Sequence, residues 1–283
     1  MLTSIIKKII PNTFHLSLAV LMSTILTLPV MAQSTTQTLS SESVVETIKK
    51  NGVIRIGLSV FTPWSMRDIN GELIGFELDV GNALATDMGV DVEFIPTAWD
   101  GIIPQLVSGN FDVIISGMSI TPARNLTINF SDPYAYSGLT VLANTDMTDG
   151  FTLDDYNTQD VTFSARRGAT PATVIAQLFP EATLLLFDED GAATQEVLNG
   201  NAHATMSAEP TPSIEARRYA DTVSVPFDQT FLATGEGFAL RKGDMDALNF
   251  FNNWISVRHA SGWLKNRNDY WFKGNDWADQ VTQ

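Results

Sequence analysis

The chain has 283 residues, no cysteine, and 17 lysine and arginine residues against 32 aspartate and glutamate residues, so its formal net charge at pH 7 is −15. A chain without cysteine cannot be stabilised by disulfide bonds, and such a negative surface repels phosphate backbones, which excludes nucleic acid as a partner. The length allows one large domain or two smaller lobes with their own hydrophobic cores.

The N-terminal segment predicts an export signal. Lys7 and Lys8 precede an apolar run over residues 16–31, which ends in Val30-Met31-Ala32. The run is interrupted by polar residues and is shorter than the roughly 20 apolar residues of a membrane-spanning helix. We therefore expect residues 1–32 to be a signal peptide cleaved after Ala32. Residues 33–43 are polar and are predicted to form a flexible lead-in.

Short apolar strands then alternate with amphipathic helices, which predicts an α/β fold with a mainly parallel sheet. In the first unit the predicted strands are 53–57, 92–95 and 111–115, and the predicted helices are 79–88 and a segment from a capping Asp100 to Val107. In the second unit the predicted strands are 161–165, 182–187 and 202–206, and the predicted helices are 171–178 and 192–198.

Two apolar segments bordered by glycine, 138–143 and 235–240, separate these units. Two connections imply that the chain leaves a first lobe, builds a second lobe, and returns. The predicted division assigns 44–142 and 236–283 to lobe 1 and 143–235 to lobe 2. The returning segment 244–277 is predicted to be helical and is rich in aromatic residues.

A strand followed by a polar loop and a Thr-Pro pair occurs three times, at Thr121-Pro122, Thr170-Pro171 and Thr211-Pro212. Threonine caps helices and proline is favoured in the first helical turn, so each pair predicts a helix N-terminus at the carboxyl end of a strand. Ligands of α/β sheets bind at that edge, and helix N-termini suit anions. Arg124 lies one turn beyond Thr121 and can hold the same anion. The alternative is that Thr121 only caps its helix and Arg124 pairs with a surface acid.

Two stretches resemble the family-3 extracellular solute-binding proteins, the amino-acid-binding components of ABC importers. They are Val92–Tyr134, which contains SGMSITPARNLTINFSDPY, and Ile54–Ala85, which contains GFELDVGNALA. The resemblance implies a periplasmic protein with a venus-flytrap fold, in which two α/β lobes joined by two crossover strands close on a ligand. It also implies a monomer whose partner is an ABC transporter permease in the inner membrane.

The resemblance implies a role for each matched position. Arg124 would hold the α-carboxylate of the ligand, and Phe61 and Trp99 would place aromatic rings against it. A second-lobe loop would close onto the carboxylate. The remaining implied ligand-binding residues are Ser116, Gly117, Met118, Ser119 and Thr121 in the first lobe and Gly168, Ala169 and Thr170 in the second.

Two positions depart from the family pattern. Ala208 stands where the family has an aspartate for the ligand's ammonium group, so either the adjacent Glu209 replaces it or the ligand lacks an ammonium group. Arg167 stands where the family is often polar and neutral, which allows a second anionic group on the ligand. Leu58 and Ser59 stand where lysine- and arginine-binding members carry an acid. The expected ligand is therefore a polar or acidic amino acid or a similar small carboxylate.

The sequence offers little for catalysis. Only His203 and His259 remain as imidazoles after residue 32, with no metal-ligand spacing, so we expect no catalytic residue, metal or cofactor. One alternative on the same fold is a cyclohexadienyl dehydratase, in which Glu209 would be the acid acting on prephenate or arogenate. Another is a ligand sensor that presents its closed form to a chemoreceptor.

Overall fold

The computed structural model describes residues 43–281. The predicted signal peptide and residues 33–42 of the predicted lead-in lie outside this range. Between Ser43 and Val281 no helix is both long and apolar enough to cross a bilayer.

The first part of the chain forms a βα layer, as predicted. Its elements, in order, are α1 (Val44–Asn51), β1 (Val53–Leu58), β2 (Met66–Arg67), β3 (Leu73–Ile74), α2 (Phe76–Met88), β4 (Asp91–Pro96), α3 (Trp99–Val107), β5 (Val113–Ile114) and α4 (Pro122–Asn125). Strands β4, β1 and β5 are adjacent and parallel. Parallel pairing requires crossover helices, which explains the alternation of apolar strands and amphipathic helices in the sequence.

The middle of the chain begins with one long strand and continues with a second βα layer. The elements are β6 (Asn129–Asn144), α5 (Thr145–Thr148), a 3₁₀ turn (Asp154–Tyr156), β7 (Thr162–Arg166), α6 (Thr170–Leu178), β8 (Thr183–Phe187), α7 (Asp190–Leu198), β9 (Ala204–Ala208), α8 (Thr211–Arg218) and β10 (Val223–Ser224). The chain returns through β11 (Ala233–Leu240) and ends in helices, as the sequence predicts. They are α9 (Met245–Ala260), α10 (Trp263–Asn268), a π-helical turn (Asp269–Lys273) and a 3₁₀ turn (Ala278–Gln280).

Strand β6 connects the two layers. Its first part pairs antiparallel with β11, and its second part, from Leu139 to Ala143, pairs antiparallel with β9. The strand order in this sheet is β4-β1-β5-β11-β6-β9-β7-β8, with β10 also on β6, while β2 and β3 form a separate antiparallel pair. One continuous strand therefore belongs to both halves of the sheet, and the segment predicted as a crossover at 138–143 lies within it. The exact lobe boundaries, 142/143 and 235/236, stay a prediction.

Each half of the sheet has its own hydrophobic core. The core of the first half contains Ile54, Ile56, Phe76 and Phe251, all fully buried. The core of the second half contains a separate group, including Val141, Tyr156, Phe163 and Met206. Two cores connected by β6 and β11 constitute a two-lobed protein.

Three local predictions need correction. Asp100 does not cap α3, because the helix begins one residue earlier at Trp99 after Ala98. Thr170 and Thr211 are the first residues of their helices and not caps, since Ala169 and Pro210 occupy the cap positions. The third strand is two residues long, because its chain bends early into the loop that begins at Ser116.

Gly57 in β1 is required by close packing. A Cβ atom on Gly57 would lie 2.4 Å from the ring of Phe111, which is itself fully buried. We expect Gly57→Ala to lower the free energy of unfolding by about 1–3 kcal/mol, since extra atoms in a packed core force strain. A urea titration measures the change.

The matched control is Gly191→Ala in α7. A Cβ atom added to Gly191 would have no neighbouring atom within 4 Å, and alanine favours a helix more than glycine does. We expect this variant to be as stable as the wild type or more stable. Equal loss in both variants would contradict the packing argument.

Candidate functional site

The loops that follow β1, β5, β7 and β9 meet between the lobes, at the carboxyl ends of these strands. Direct contacts cross this cleft. The indole Nε1 of Trp99 donates a hydrogen bond to the Gly168 carbonyl at 3.2 Å, and the Thr211 hydroxyl donates to the Thr62 carbonyl. The lobes are therefore closed on each other at the edge where α/β sheets bind ligands.

Arg124 lies in this cleft. The predicted cap is present, because the Thr121 hydroxyl accepts a hydrogen bond from the Arg124 amide at 3.2 Å. The guanidinium donates a hydrogen bond to the Ser119 carbonyl at 3.0 Å. Its other terminal nitrogen donates to the Gly168 carbonyl of the second lobe at 3.4 Å. Helix α4 has only four residues, so its dipole adds little beside the charge of the Arg124 guanidinium itself.

The aromatic pair Phe61 and Trp99 also lies at the cleft. Both side chains are largely buried, and both lie next to a guanidinium. The Cζ atom of Arg124 is 5.4 Å from the Trp99 ring centroid. Trp64 instead packs against Phe76 and belongs to the core of the first lobe.

The structure does not bring Arg167 to this group. Its side chain is half exposed and contacts Asp188 at 3.2 Å and the Leu186 carbonyl. The guanidinium in the cleft belongs to Arg166, the last residue of β7, which is only 6 % exposed. Successive side chains near a strand end point to opposite faces, so a shift of one position replaces an outward arginine by an inward one.

The Arg166 guanidinium lies 4.3 Å from the Trp99 ring centroid and 5.3 Å from that of Phe61. One terminal nitrogen donates to the Ser59 hydroxyl at 3.4 Å. Burial lowers the pKa of Arg166, and the nearby Asp190 and Glu189 partly offset this effect. Sequence reasoning missed Arg166. The signal was present in its position as the final residue of a strand that leads into a cleft loop.

The loop after β5 is held from inside the first lobe. The Gly117 amide, which was expected to face the ligand, donates to the Glu77 carboxylate at 2.7 Å and also to the Tyr134 hydroxyl. The Ser116 hydroxyl accepts a hydrogen bond from the Ser59 amide at 2.8 Å. Met118 is fully buried in a core cluster beside Trp99. These contacts fix the shape of the loop, and they commit Ser116 and Gly117 to the protein itself.

The second-lobe loop presents its carbonyl to the first lobe. Gly168 has a φ of +70°, which favours glycine, and its carbonyl accepts both the Trp99 and the Arg124 hydrogen bonds. Ala169 is 4 % exposed and packs with the Trp99 cluster. Thr170, at the start of α6, is partly buried. This loop therefore contacts Arg124 directly in the closed structure.

An acidic side of the cleft comes from α7 and α8. Asp190, at the start of α7, lines a cavity of about 340 Å³ together with Phe61, Thr211 and Glu215. Burial raises the pKa of Asp190, while the charge of Arg166 opposes the shift. The Ser207 hydroxyl lies 3.5 Å from both Asp190 carboxylate oxygens.

Glu209 follows β9, and its amide donates to the Gly138 carbonyl at 2.9 Å. Among residues 43–281, no hydrogen bond or ion pair of its carboxylate is found. The cavity is instead lined by three other acids, Glu189, Asp190 and Glu215, none of which the sequence predicted as a ligand contact.

The histidines have structural contacts. His203 Nδ1 accepts a hydrogen bond from the Thr162 amide at 3.1 Å, and His259 lies 3.0 Å from the Pro133 carbonyl. Over the described range 43–281, no group of three or more histidine, aspartate or glutamate side chains is arranged to hold a metal ion. The chemistry that the cleft offers is charge and aromatic contact.

Comparison with known proteins decides the family. Residues 54–274 match the bacterial extracellular solute-binding proteins, family 3. The chain belongs to this family. The two-lobed venus-flytrap fold and the solute-binding class predicted from the sequence are thereby confirmed.

Relatives support the same classification. The L-cystine-binding protein TcyJ of Escherichia coli strain K12 is 26 % identical over 260 residues, which cover 91 % of this chain and 96 % of TcyJ. The ancestral amino acid-binding protein AncCDT-1, a precursor of cyclohexadienyl dehydratase, is 37 % identical with a TM-score of 0.74, covering 81 % of this chain and 99 % of that structure. A putative binding component of an ABC transporter from Wolinella succinogenes, complexed with lysine, is 32 % identical with a TM-score of 0.76, with coverage of 81 % and 99 %.

The carboxyl group that holds the β5 loop should make stability depend on pH. Burial raises the pKa of Glu77 from 4.5 to about 8, because the opposing hydrogen bonds from Tyr134 and Gly117 do not compensate for desolvation. Between these pH values the folded protein holds a proton that the unfolded chain has released. The resulting stabilisation is complete below about pH 4.5 and is lost as the pH rises through about 8.

We therefore expect the free energy of unfolding to fall between pH 5 and pH 8.5, by on the order of 1 kcal/mol or more. Glu77→Gln should reduce this fall, because the amide does not titrate. The control is Glu72→Gln, which changes an exposed carboxylate just before β3 and should leave the fall in stability unchanged. Urea unfolding at both pH values measures the difference. An unchanged pH dependence in Glu77→Gln would show that Glu77 does not hold this proton.

Proposed function

We propose that the protein is the periplasmic binding component of an ABC importer and that it captures a polar or acidic amino acid, or a similar small carboxylate, by closure of its two lobes. It then presents the closed form to a permease in the inner membrane and catalyses no reaction. The proposal includes cleavage of the leader after Ala32 and function as a monomer. Family membership, the L-cystine-binding relative and the structure complexed with lysine support an amino acid as the ligand.

The position of Arg124 is the observation that carries the proposal. Burial and the nearby Arg166 lower its pKa to about 10, so it stays charged at neutral pH. Within residues 43–281 its guanidinium donates hydrogen bonds to two carbonyl oxygens, one from each lobe. A ligand carboxylate is a stronger acceptor than a carbonyl, and each charge-assisted hydrogen bond contributes about 1.5–3 kcal/mol. Binding at Arg124 thus favours closure, since the second-lobe loop lies against the same side chain.

A ligand screen by thermal shift tests this function. A ligand that binds only the folded state raises the melting temperature, so amino acids, dicarboxylates and hydroxy acids are compared at equal concentration. For the best ligand, Arg124→Gln should weaken binding about 10- to 150-fold in calorimetry, which corresponds to one lost charge-assisted bond. The control is Arg167→Gln, which removes an exposed arginine that pairs with Asp188 outside this group; it should bind as the wild type does.

Near-normal binding by Arg124→Gln would refute the assignment. The enzyme alternative is tested with the same protein. No phenylpyruvate should be released from prephenate, and its release would contradict a pure binding function.

We also propose that Asp190, and not Glu209, receives the ammonium group of an amino-acid ligand. Asp190 lines the cavity beside Phe61, and burial makes an unpaired carboxylate there costly, so an incoming cation is favourable. Asp190 lies next to the end of β9, as the contact between the Ser207 hydroxyl and the Asp190 carboxylate shows.

Asp190→Asn should weaken binding of L-glutamate by about 10-fold or more while changing glutarate binding much less, since glutarate lacks the ammonium group. Asp188→Asn changes an exposed acid two residues away and serves as the control. Calorimetry with both ligands gives the ratio. Equal weakening for glutarate and L-glutamate would argue against contact with the ammonium group.

A further inference from the structure

Arg166 is a buried cation with few partners. It is 6 % exposed, and its contacts are the Ser59 hydroxyl at 3.4 Å and the faces of Phe61 and Trp99. Within residues 43–281 its Nε–H, which is fully buried, has no hydrogen-bond partner. A guanidinium has five N–H donors, and a buried donor without a hydrogen-bond acceptor costs free energy.

Two structural arginines of the same chain show what a satisfied guanidinium looks like. Arg55 forms a bidentate pair with Asp112, at 2.7 and 3.3 Å. Arg241 donates from one nitrogen to the carbonyls of Leu106 and Phe111, at 3.1 and 2.9 Å. Arg166 has neither kind of partner. Its buried donors therefore have room for an additional hydrogen-bond acceptor.

The surrounding charges do not neutralise Arg166. Asp190 and Glu189 attract it, yet in the described part of the chain neither carboxylate forms an ion pair with it. Arg124, in turn, is close enough for the two guanidiniums to repel each other. Two like charges that are held together out of water favour binding of more than one negative charge.

The aromatic rings beside Arg166 also favour an anionic ligand group over a cationic one. Arg166 already contacts the faces of Phe61 and Trp99, which are the two rings expected to lie against a ligand. A cationic ligand group in this place would meet repulsion from Arg166 and would compete with it for the ring faces. An anionic group would instead meet donors that lack a partner.

We propose that Arg166 forms a second anion-binding subsite, so that the cleft selects small molecules with two carboxylates and disfavours cationic amino acids. The proposal rests on the function proposed above, in which Arg124 holds the first carboxylate. Arg166 would receive the second carboxylate across the Trp99 ring. Arg166 and Arg124 come from different lobes, so a ligand that spans both also holds the lobes together.

Two pairs of nearly isosteric ligands test the proposal. L-glutamate and L-glutamine differ mainly in the charge of the side-chain group, as do L-aspartate and L-asparagine. For the wild-type protein, we expect each dicarboxylate to bind at least about 10-fold more tightly than its amide, since one charge-assisted hydrogen bond distinguishes them. L-arginine and L-lysine should bind more weakly than either amide. Calorimetry on the purified protein measures all six dissociation constants.

Variants assign the preference to Arg166. Arg166→Gln should reduce the ratio between acid and amide to about threefold or less, mainly by weakening the acid. Arg166→Lys retains the charge and should keep part of the preference. Arg167→Gln, the adjacent exposed arginine, should keep the full ratio. Far-ultraviolet circular dichroism and a melting curve establish that each variant is folded. If Arg166→Gln does not fold, the ratio between acid and amide is compared between Arg166→Lys and the wild type.

The outcomes separate the two proposals. Absence of binding by every amino acid and dicarboxylate would overturn the proposed function. An equal or stronger affinity for L-glutamine or L-asparagine would overturn only the second subsite. An equal or stronger affinity for L-lysine or L-arginine would overturn the second subsite and also the polar or acidic ligand class of the proposed function. A preference for acids that persists in Arg166→Gln would likewise overturn the second subsite, because the selectivity would then come from another group.

Discussion

The pairing of β6 with β11 is the constraint on which the cleft depends. Strand β6 pairs with β11 in one lobe and with β9 in the other, so its backbone hydrogen bonds fix the ends of both layers relative to each other. Loops that are far apart in the sequence therefore meet at one edge. The contact between Arg124 and Gly168, which are 44 residues apart, is a direct consequence.

Where these loops meet, the two cleft arginines are removed from water. In bulk water, a guanidinium is well solvated, so it gains little free energy when it exchanges water for an anionic ligand. Between the lobes, Arg124 and Arg166 lose water, and aromatic faces replace part of their solvation. Electrostatic interactions are stronger in such surroundings than in water, so in the proposed function closure and anion binding reinforce each other. The acid Asp190 makes the cleft bipolar, which suits a zwitterionic ligand.

The loop after β5 illustrates how the first lobe prepares the cleft. Glu77 and Tyr134 hold the Gly117 amide from inside the lobe, and Glu77 is fully buried while doing so. A second buried carboxyl, Glu236 on β11, is near enough to raise the pKa of Glu77 further. This network lies inside the first lobe. It keeps the chain between β5 and Arg124 in one conformation, which reduces the ordering that binding requires.

The sequence by itself determined the class of fold, the order of most elements, the cap at Thr121 and the presence of Arg124 in the cleft, because these follow from local periodicity, helix capping and family motifs. It did not determine which of two adjacent arginines faces inward, since a shift of one residue reverses the side-chain direction at a strand end. It also did not reveal Asp190, whose neighbours Phe61 and Ser207 are remote in the sequence. Only the tertiary structure decided these points, because burial and charge proximity arise when two lobes come together and are not properties of any single segment.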